Sequence, residues 1–317
     1  MVTPQNPPKK ELNLRTVTLG DLTWVDIVQP TKDAAEYLAE KYNFHPMDLE
    51  DSLSVRQLSK IEEYPQYLFI VLHFQVYEKM TRISSRKQWS VFVGEKFLVT
   101  LHPPELKVID DMFRECELSG EIRQEYSSKG SGYLLYQILD RLLDTYFPIL
   151  DKIASLLSNI EDTVFSEQLE AAQELSILRR DIITQRQVIF PTRTLFMELE
   201  NKLKRFAKID LTIYFSDLMD HINKICDSLN ESTEVIEVFK DADFILSSYR
   251  ANRGIRVISI MLVFGLPLLV VFGLFGMYVM LNGGVYNGSS QIFFVLFVIA
   301  AGIIGLMLYL LRRRRLI

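Results

Sequence analysis

Residues 257–311 carry no charged side chain, and Arg312-Arg313-Arg314-Arg315 closes the stretch. About 20 apolar residues suffice to cross a bilayer as a helix. The stretch holds two such spans, at about 257–281 and about 292–311. A polar, glycine-rich break separates them, Asn282-Gly283-Gly284-Val285-Tyr286-Asn287-Gly288-Ser289-Ser290. Backbone groups in lipid must be bonded internally, so each span is expected to be helical. The pattern predicts a tight transmembrane hairpin following a large soluble region.

The flanks set the orientation. Arg253 and Arg256 precede the first span, four arginines follow the second, and the loop between is neutral. Positive residues stay in the cytoplasm, so a multi-pass inner-membrane protein with both ends cytoplasmic is expected. Met1 to Leu12 contains proline and lysine but no apolar run, so no signal peptide is expected. About 250 residues then face the cytoplasm, enough for one or two domains. Residues 1–250 carry 29 basic and 40 acidic side chains, a net of −11. That balance suits cations better than nucleic acid or anionic lipid, although solubility alone would also explain it. Cys116 and Cys226 are far apart, lack ligand spacing and read as reduced cysteines.

The spacing of apolar residues divides the soluble part. Residues 1–130 read as a mixed α and β domain. Leu12 to Thr18 and Thr23 to Val28 look like strands, and Thr31 like the N-cap of a helix through Ala34, Leu38 and Tyr42. Tyr67 to Tyr77 reads as a buried strand, and Trp89 to Val93 with Lys96 to Leu101 as a hairpin around Gly94-Glu95. Residues 131–252 turn to a helical period, with a broad apolar face from Tyr133 to Ile160 and a second helix over about 167–190. Pro191 is expected to bend or start a helix. From the 190s one helix is expected to run on into the membrane region, 253–317.

Several motifs together resemble one family, the CorA-type magnesium transporters and their zinc-transporting ZntB relatives. One is Phe215-Ser216-Asp217-Leu218-Met219-Asp220-His221, similar to the family's aromatic-x-Asp-x-x-Asp-His stretch. Another runs from Asn252 through Pro267 to Gly273-Leu274-Phe275-Gly276-Met277-Tyr278 and resembles the family's pore span. Weaker echoes are Phe44-His45-Pro46, Tyr133 to Tyr136 with Asp140 and Asp144, and Ile189-Phe190-Pro191. The resemblance covers about 40–317. It implies an α+β cytoplasmic domain, a long-helix stalk and a two-helix C-terminal transmembrane hairpin, assembled as a funnel-shaped homopentamer. It also implies a central pore for a divalent cation, with Mg2+ as transported ion, cobalt, nickel or zinc as alternatives, and no organic cofactor.

By that resemblance Asn252 forms a polar ring at the cytoplasmic end, and Ile255, Ile258 and Leu262 form apolar constrictions. Hydrophobic rings of this kind gate by dewetting. Gly276, Met277 and Tyr278 stand at the outer mouth. Here the chain departs from its relatives, whose signature is Gly-Met-Asn. A ring of amide carbonyls can bind magnesium through the waters it sheds reluctantly. A phenol offers one oxygen on a bulky ring, and Tyr is also a common interfacial anchor. The neutral loop is a second departure, since relatives place acids there. Both bear on selectivity and leave the fold untouched.

The resemblance further implies regulation by cytoplasmic magnesium bridging acidic residues of adjacent subunits. Asp220 and Asp227 are seven apart, on one helix face; Glu78 and Asp243 are further candidates. A solvated acidic face is the simpler reading of the same residues. His45, His73, His102 and His221 look too scattered for a zinc site, and His221 is expected to hydrogen-bond within the stalk. The chain shows neither a phosphate-binding glycine loop nor a nucleophile with its base, so an enzyme is not expected. Two rivals remain at this stage: a channel for a different ion, motivated by the neutral mouth, and a non-conducting metal sensor.

Overall fold

A computed structural model describes residues 13–54, 57–78, 80, 82–164 and 169–281, and, further on, 294, 295, 297–299, 301, 302 and 305. It divides into two compact units, Met1–Phe239 and Lys240–Ile317.

In the first unit a six-stranded sheet runs in the order β1-β2-β6-β5-β4-β3. The strands are β1 (Leu14–Leu19), β2 (Leu22–Val28), β3 (Lys60–Glu63), β4 (Tyr67–Glu78), β5 (Ile83–Gly94) and β6 (Phe97–His102). Among the described strands, only β2 and β6 pair in parallel. The hairpin read around Gly94-Glu95 is present, with β5 longer than expected. β4 is a nearly unbroken apolar run because helices cover both faces of the sheet. One face buries Val25, Ile27, Phe69, Val71, Phe92 and Val99 against α1 (Lys32–Tyr42) and α2 (Pro46–Leu53). Thr31 caps α1 as expected, its hydroxyl accepting from the Ala34 N–H at 3.3 Å.

The opposite face buries Trp24, Leu68, Ile70, Leu72, Phe74 and Trp89. Its cover includes α3 (Lys107–Leu118), α4 (Gly120–Lys129) and α5 (Ser131–Asp144). The same core continues into α6 (Phe147–Val164), α7 (Leu169–Leu203) and the first half of α8 (Thr212–Leu281). The β4–β5 arm also docks on α7. Asp181, almost fully buried, accepts from the Ser84 N–H at 2.6 Å, and the Gln75 amide donates to the Thr184 carbonyl at 2.9 Å.

Two sequence expectations are corrected here. α7 runs on through Pro191, which therefore starts no helix. The lost backbone bond is outweighed by apolar residues on both sides, since Ile189, Phe196, Leu199 and Leu203 are all buried. The helix expected from the 190s onward is broken, by a 3-10 turn at Lys204–Phe206 and an extended link to Thr212. Tertiary bonds hold that break. Lys208 N–H donates to the Lys129 carbonyl at 3.0 Å, and Ser131 Oγ to the Phe206 carbonyl at 3.2 Å. Gly130 has φ +92°, and a Cβ there would lie 3.0 Å from the Phe206 oxygen, so glycine is required. Asp210 then restarts the helix by accepting from the Thr212 N–H at 3.0 Å.

Candidate metal centre

Four metal-ligating side chains converge where α5 faces α8. Asp140 and Asp144 are one helical turn apart on α5, as are Asp217 and His221 on α8, so each pair shares a face. Asp140 Oδ1 stands 3.3 Å from His221 Nδ1, and Asp217 Oδ1 stands 3.9 Å from His221 Nε2. One ligand atom from each of Asp140, Asp144 and His221 lies within 4.8 Å of the others. The Phe147 ring meets the imidazole edge-on, with centroids 5.8 Å apart.

The electrostatics favour a cation. Asp140 Oδ1 and His221 Nδ1 are shielded from solvent and face each other at 3.3 Å without a well-formed hydrogen bond. Leaving such a group unsatisfied costs about 1–3 kcal/mol, and a cation between them would satisfy both. Burial raises the Asp140 pKa; the negative charges of Asp144 and Asp217 add to this, and His221 opposes it. A bound cation would reverse that balance by favouring the carboxylate. Imidazole with carboxylates is a donor set for zinc, cobalt or nickel, while carboxylates acting through water suit magnesium.

A second close group, Asp26, His102 and Asp110, is different in kind. Arg15 already pairs with both of its carboxylates, so its negative charge is neutralised from within the chain.

The residues selected from sequence lie elsewhere on α8. Asp217, Asp220, Lys224, Asp227, Glu231 and Glu234 form its exposed stripe, while Phe215, Leu218, Ile222, Ile225 and Leu229 are buried. Asp220 and Asp227 thus share a face, as their spacing predicted. Glu78 ends β4, half-buried. Among the described residues, neither close donor group includes Asp220, Asp227 or Glu78. Asp243 belongs to α8, but its side chain lies outside the described set.

In the second unit, the most apolar 18-residue window of Ala251–Tyr278 in α8 has a mean hydropathy of 2.7 and is only 7% buried. Ile255, Ile258, Leu262, Leu269 and Met277 are all more than half exposed. Asn252 and Gly276 are exposed as well, and Tyr278 is half-buried. A helix this apolar, with most of its surface bare of protein cover, is suited to lipid or to other helices. The loop 282–290 lies outside the described residues, as does most of the second expected span; the described positions from 294 to 305 are helical.

A family profile described as "CorA-like Mg2+ transporter protein" matches residues 20–313. The chain belongs to that family. This CorA-family chain is 28% identical to YfjQ of Bacillus subtilis, across 87% of this chain and 85% of the relative. It is 27% identical to the cobalt/magnesium transport protein CorA of Thermotoga maritima, across 80% and 72%. Its fold matches the complete structure of the CorA magnesium transporter from Methanocaldococcus jannaschii, with a TM-score of 0.73 at 20% identity over 92% of this chain and 90% of that one. Membership makes it a transporter rather than an enzyme.

In the sequence, Asp140, Asp144 and His221 stand in separate motifs with nothing to join them. The usable signal was a pair of donors four apart on each of two helices. Nothing in the sequence alone says that those two helices face each other.

Proposed function

We propose that this CorA-family protein is a passive membrane channel for divalent metal cations, magnesium first, with cobalt, nickel and zinc as alternatives. It works as a homopentamer in the inner membrane, with N- and C-termini cytoplasmic. Five copies of α8 surround the pore, with Asn252, Ile255, Ile258 and Leu262 lining its cytoplasmic half and Gly276, Met277 and Tyr278 its mouth. Cytoplasmic metal gates it. The gating ions sit at Asp140, Asp144, Asp217 and His221, and on the acidic stripe of Asp220 and Asp227 with Glu78 and Asp243 as partners.

The observation that carries this reading is the make-up of one helix. α8 holds two of the four donors in its first half and a bare apolar surface, suited to a membrane, in its second. A divalent cation moving inward gains about 4.6 kcal/mol per 100 mV of inside-negative potential, so no other energy source is required. Isoleucine and leucine rings dewet when narrow and pass a hydrated ion when wide. Metal bound between α5 and α8 would hold two helices in one arrangement, and its loss would free them. Selection at the mouth falls to Tyr278, whose single hydroxyl binds a water-clad ion less well than a carboxamide does.

Flux into proteoliposomes tests the reading, with magnesium, cobalt, zinc, sodium and chloride offered in turn. Saturable entry of a divalent ion driven by an inside-negative potential is expected. Entry of sodium or chloride alone would reject the selectivity, and no flux from folded, oligomeric protein would reject the channel.

A further inference from the structure

A second charged cluster joins β1, β2, β6 and α3. Arg15 of β1 pairs with Asp26, its partner across β2, and reaches Asp110 of α3 at 2.5 Å. Its guanidinium also lies 4.7 Å from the centroid of the α3 residue Phe113. His102, the last residue of β6, turns Nε2 to Asp26 at 3.2 Å and Nδ1 to the Pro103 carbonyl at 2.9 Å. Thr100 Oγ donates to Asp26 at 2.5 Å and accepts from the Trp24 indole at 3.0 Å. The side chains of Asp26 and His102 are 0% exposed.

The partners dictate the protonation state. A backbone carbonyl and a carboxylate can only accept, so both His102 nitrogens must donate, and only the imidazolium does that. The cluster then holds two positive and two negative charges. Among the other elements packed nearby, α5 buries no charged residue, and β5 brings Lys87, which Glu105 holds at 2.7 Å.

We propose that this cluster is a proton-operated clamp on α3. Doubly protonated His102 shares the Asp26 charge, so Arg15 can bridge Asp26 and Asp110 and, through Asp110, hold the first turn of α3. When His102 loses its proton, Asp26 has only Arg15 and Thr100 to compensate a buried charge. Arg15 is drawn to Asp26, and the tie to α3 weakens. Burial works against charge at both groups. At Asp26 it is outweighed by His102, Thr100 and Arg15, so the pKa is lowered. At His102 it is outweighed by Asp26 and the Pro103 carbonyl, so the pKa is raised above the usual 6.5. The clamp is therefore fully engaged below about pH 6.5. It is lost as the pH rises through the folded-state pKa of His102, so alkaline cytoplasm releases α3.

Histidine C2-proton exchange, read by mass spectrometry on the full-length protein in nanodiscs, gives a titration midpoint for each histidine. The His102 midpoint is expected above the ordinary histidine value of about 6.5. A midpoint at or below that value overturns the clamp, and this arm needs no variant. Amide exchange over 107–118, corrected for intrinsic rate, is then compared at pH 6 and pH 8.5. Wild type should lose about fivefold or more of its protection, about 1 kcal/mol of opening free energy, and His102→Gln should show no such step. The same step in both proteins would show that another group titrates.

Discussion

At Asp140 stability and metal binding pull in opposite directions. Its carboxyl is half-buried near Asp144 and Asp217, and its pKa is raised. The sign follows from that direction: above the folded pKa, a carboxylate whose folded pKa exceeds its unfolded value destabilises the fold. Asp140→Asn removes that cost, so the metal-free protein is expected to melt higher than wild type. The same variant should lose the stabilisation that cobalt or zinc gives wild type, which reaches about 2.7 kcal/mol when metal is present at 100 times Kd. Calorimetry with and without metal reads both effects, and an unchanged metal shift would remove Asp140 from the site. In wild type that metal shift should shrink as the pH falls through the Asp140 pKa, because only the carboxylate binds. Tyr278 is the second residue where one side chain decides an outcome. Restoring the amide with Tyr278→Asn is expected to tighten magnesium entry about tenfold, on the order of 1.4 kcal/mol, with little effect on folding because Tyr278 belongs to neither buried core cluster. Equal flux and equal ion preference in both proteins would show that the tyrosine is only an interfacial anchor.

Single elements show what a linear sequence can and cannot reveal. The first half of α8 alternates a buried stripe with an acidic one, and the two should respond differently to substitution. Leu229→Ala, at a fully buried position, is expected to cost about 2–5 kcal/mol through lost transfer energy and a residual cavity. Lys224→Ala, one turn back on the exposed side, should stay within about 0.5 kcal/mol. Urea melts of the two variants check both figures, and similar losses would mean that the exposed stripe is covered in the assembled protein. Local chemistry made some elements readable. Thr31 ahead of an apolar helical period, and the β-branched run ending at Gly94-Glu95, need only their neighbours to specify a cap and a hairpin. The break at 204–211 was unreadable because nothing local demands it. The link contains no proline or glycine, and the partners that hold it, Lys129 and Ser131, lie about 75 residues away. Pro191 starts no helix for the converse reason: a strong local breaker sits inside a helix that packing on both sides sustains. The donor cluster of Asp140, Asp144, Asp217 and His221 stayed hidden on the same grounds. Each pair was visible along its own helix, but their meeting is a fact of packing.

At the scale of the whole molecule, the two compact units ask for different solvents. The first closes a core from Val17 to Phe239 over both faces of its sheet and through its helices. A burial of that extent, at about 25 cal/mol per Å2 of apolar surface, is what an independently stable domain requires. The second unit does the reverse: most apolar side chains of Ala251–Tyr278 are left exposed within one chain, and one stripe, Ile260, Phe264, Val271 and Phe275, is partly or fully buried. A membrane helix has no reason to be amphipathic toward its own soluble domain, and this one is not. Residues 13–239 produced alone should therefore remain soluble without detergent and unfold in one cooperative step. They should also keep the metal response of the α5–α8 site, since all four donors lie inside that boundary. The full chain should require detergent or lipid to stay dispersed. Size-exclusion chromatography and a thermal melt with and without cobalt test the two halves of the expectation. If the shortened protein aggregates or melts without cooperativity, the core of the first unit depends on the membrane segment. If it folds but ignores metal, the α5–α8 donors need a neighbouring subunit to complete the site.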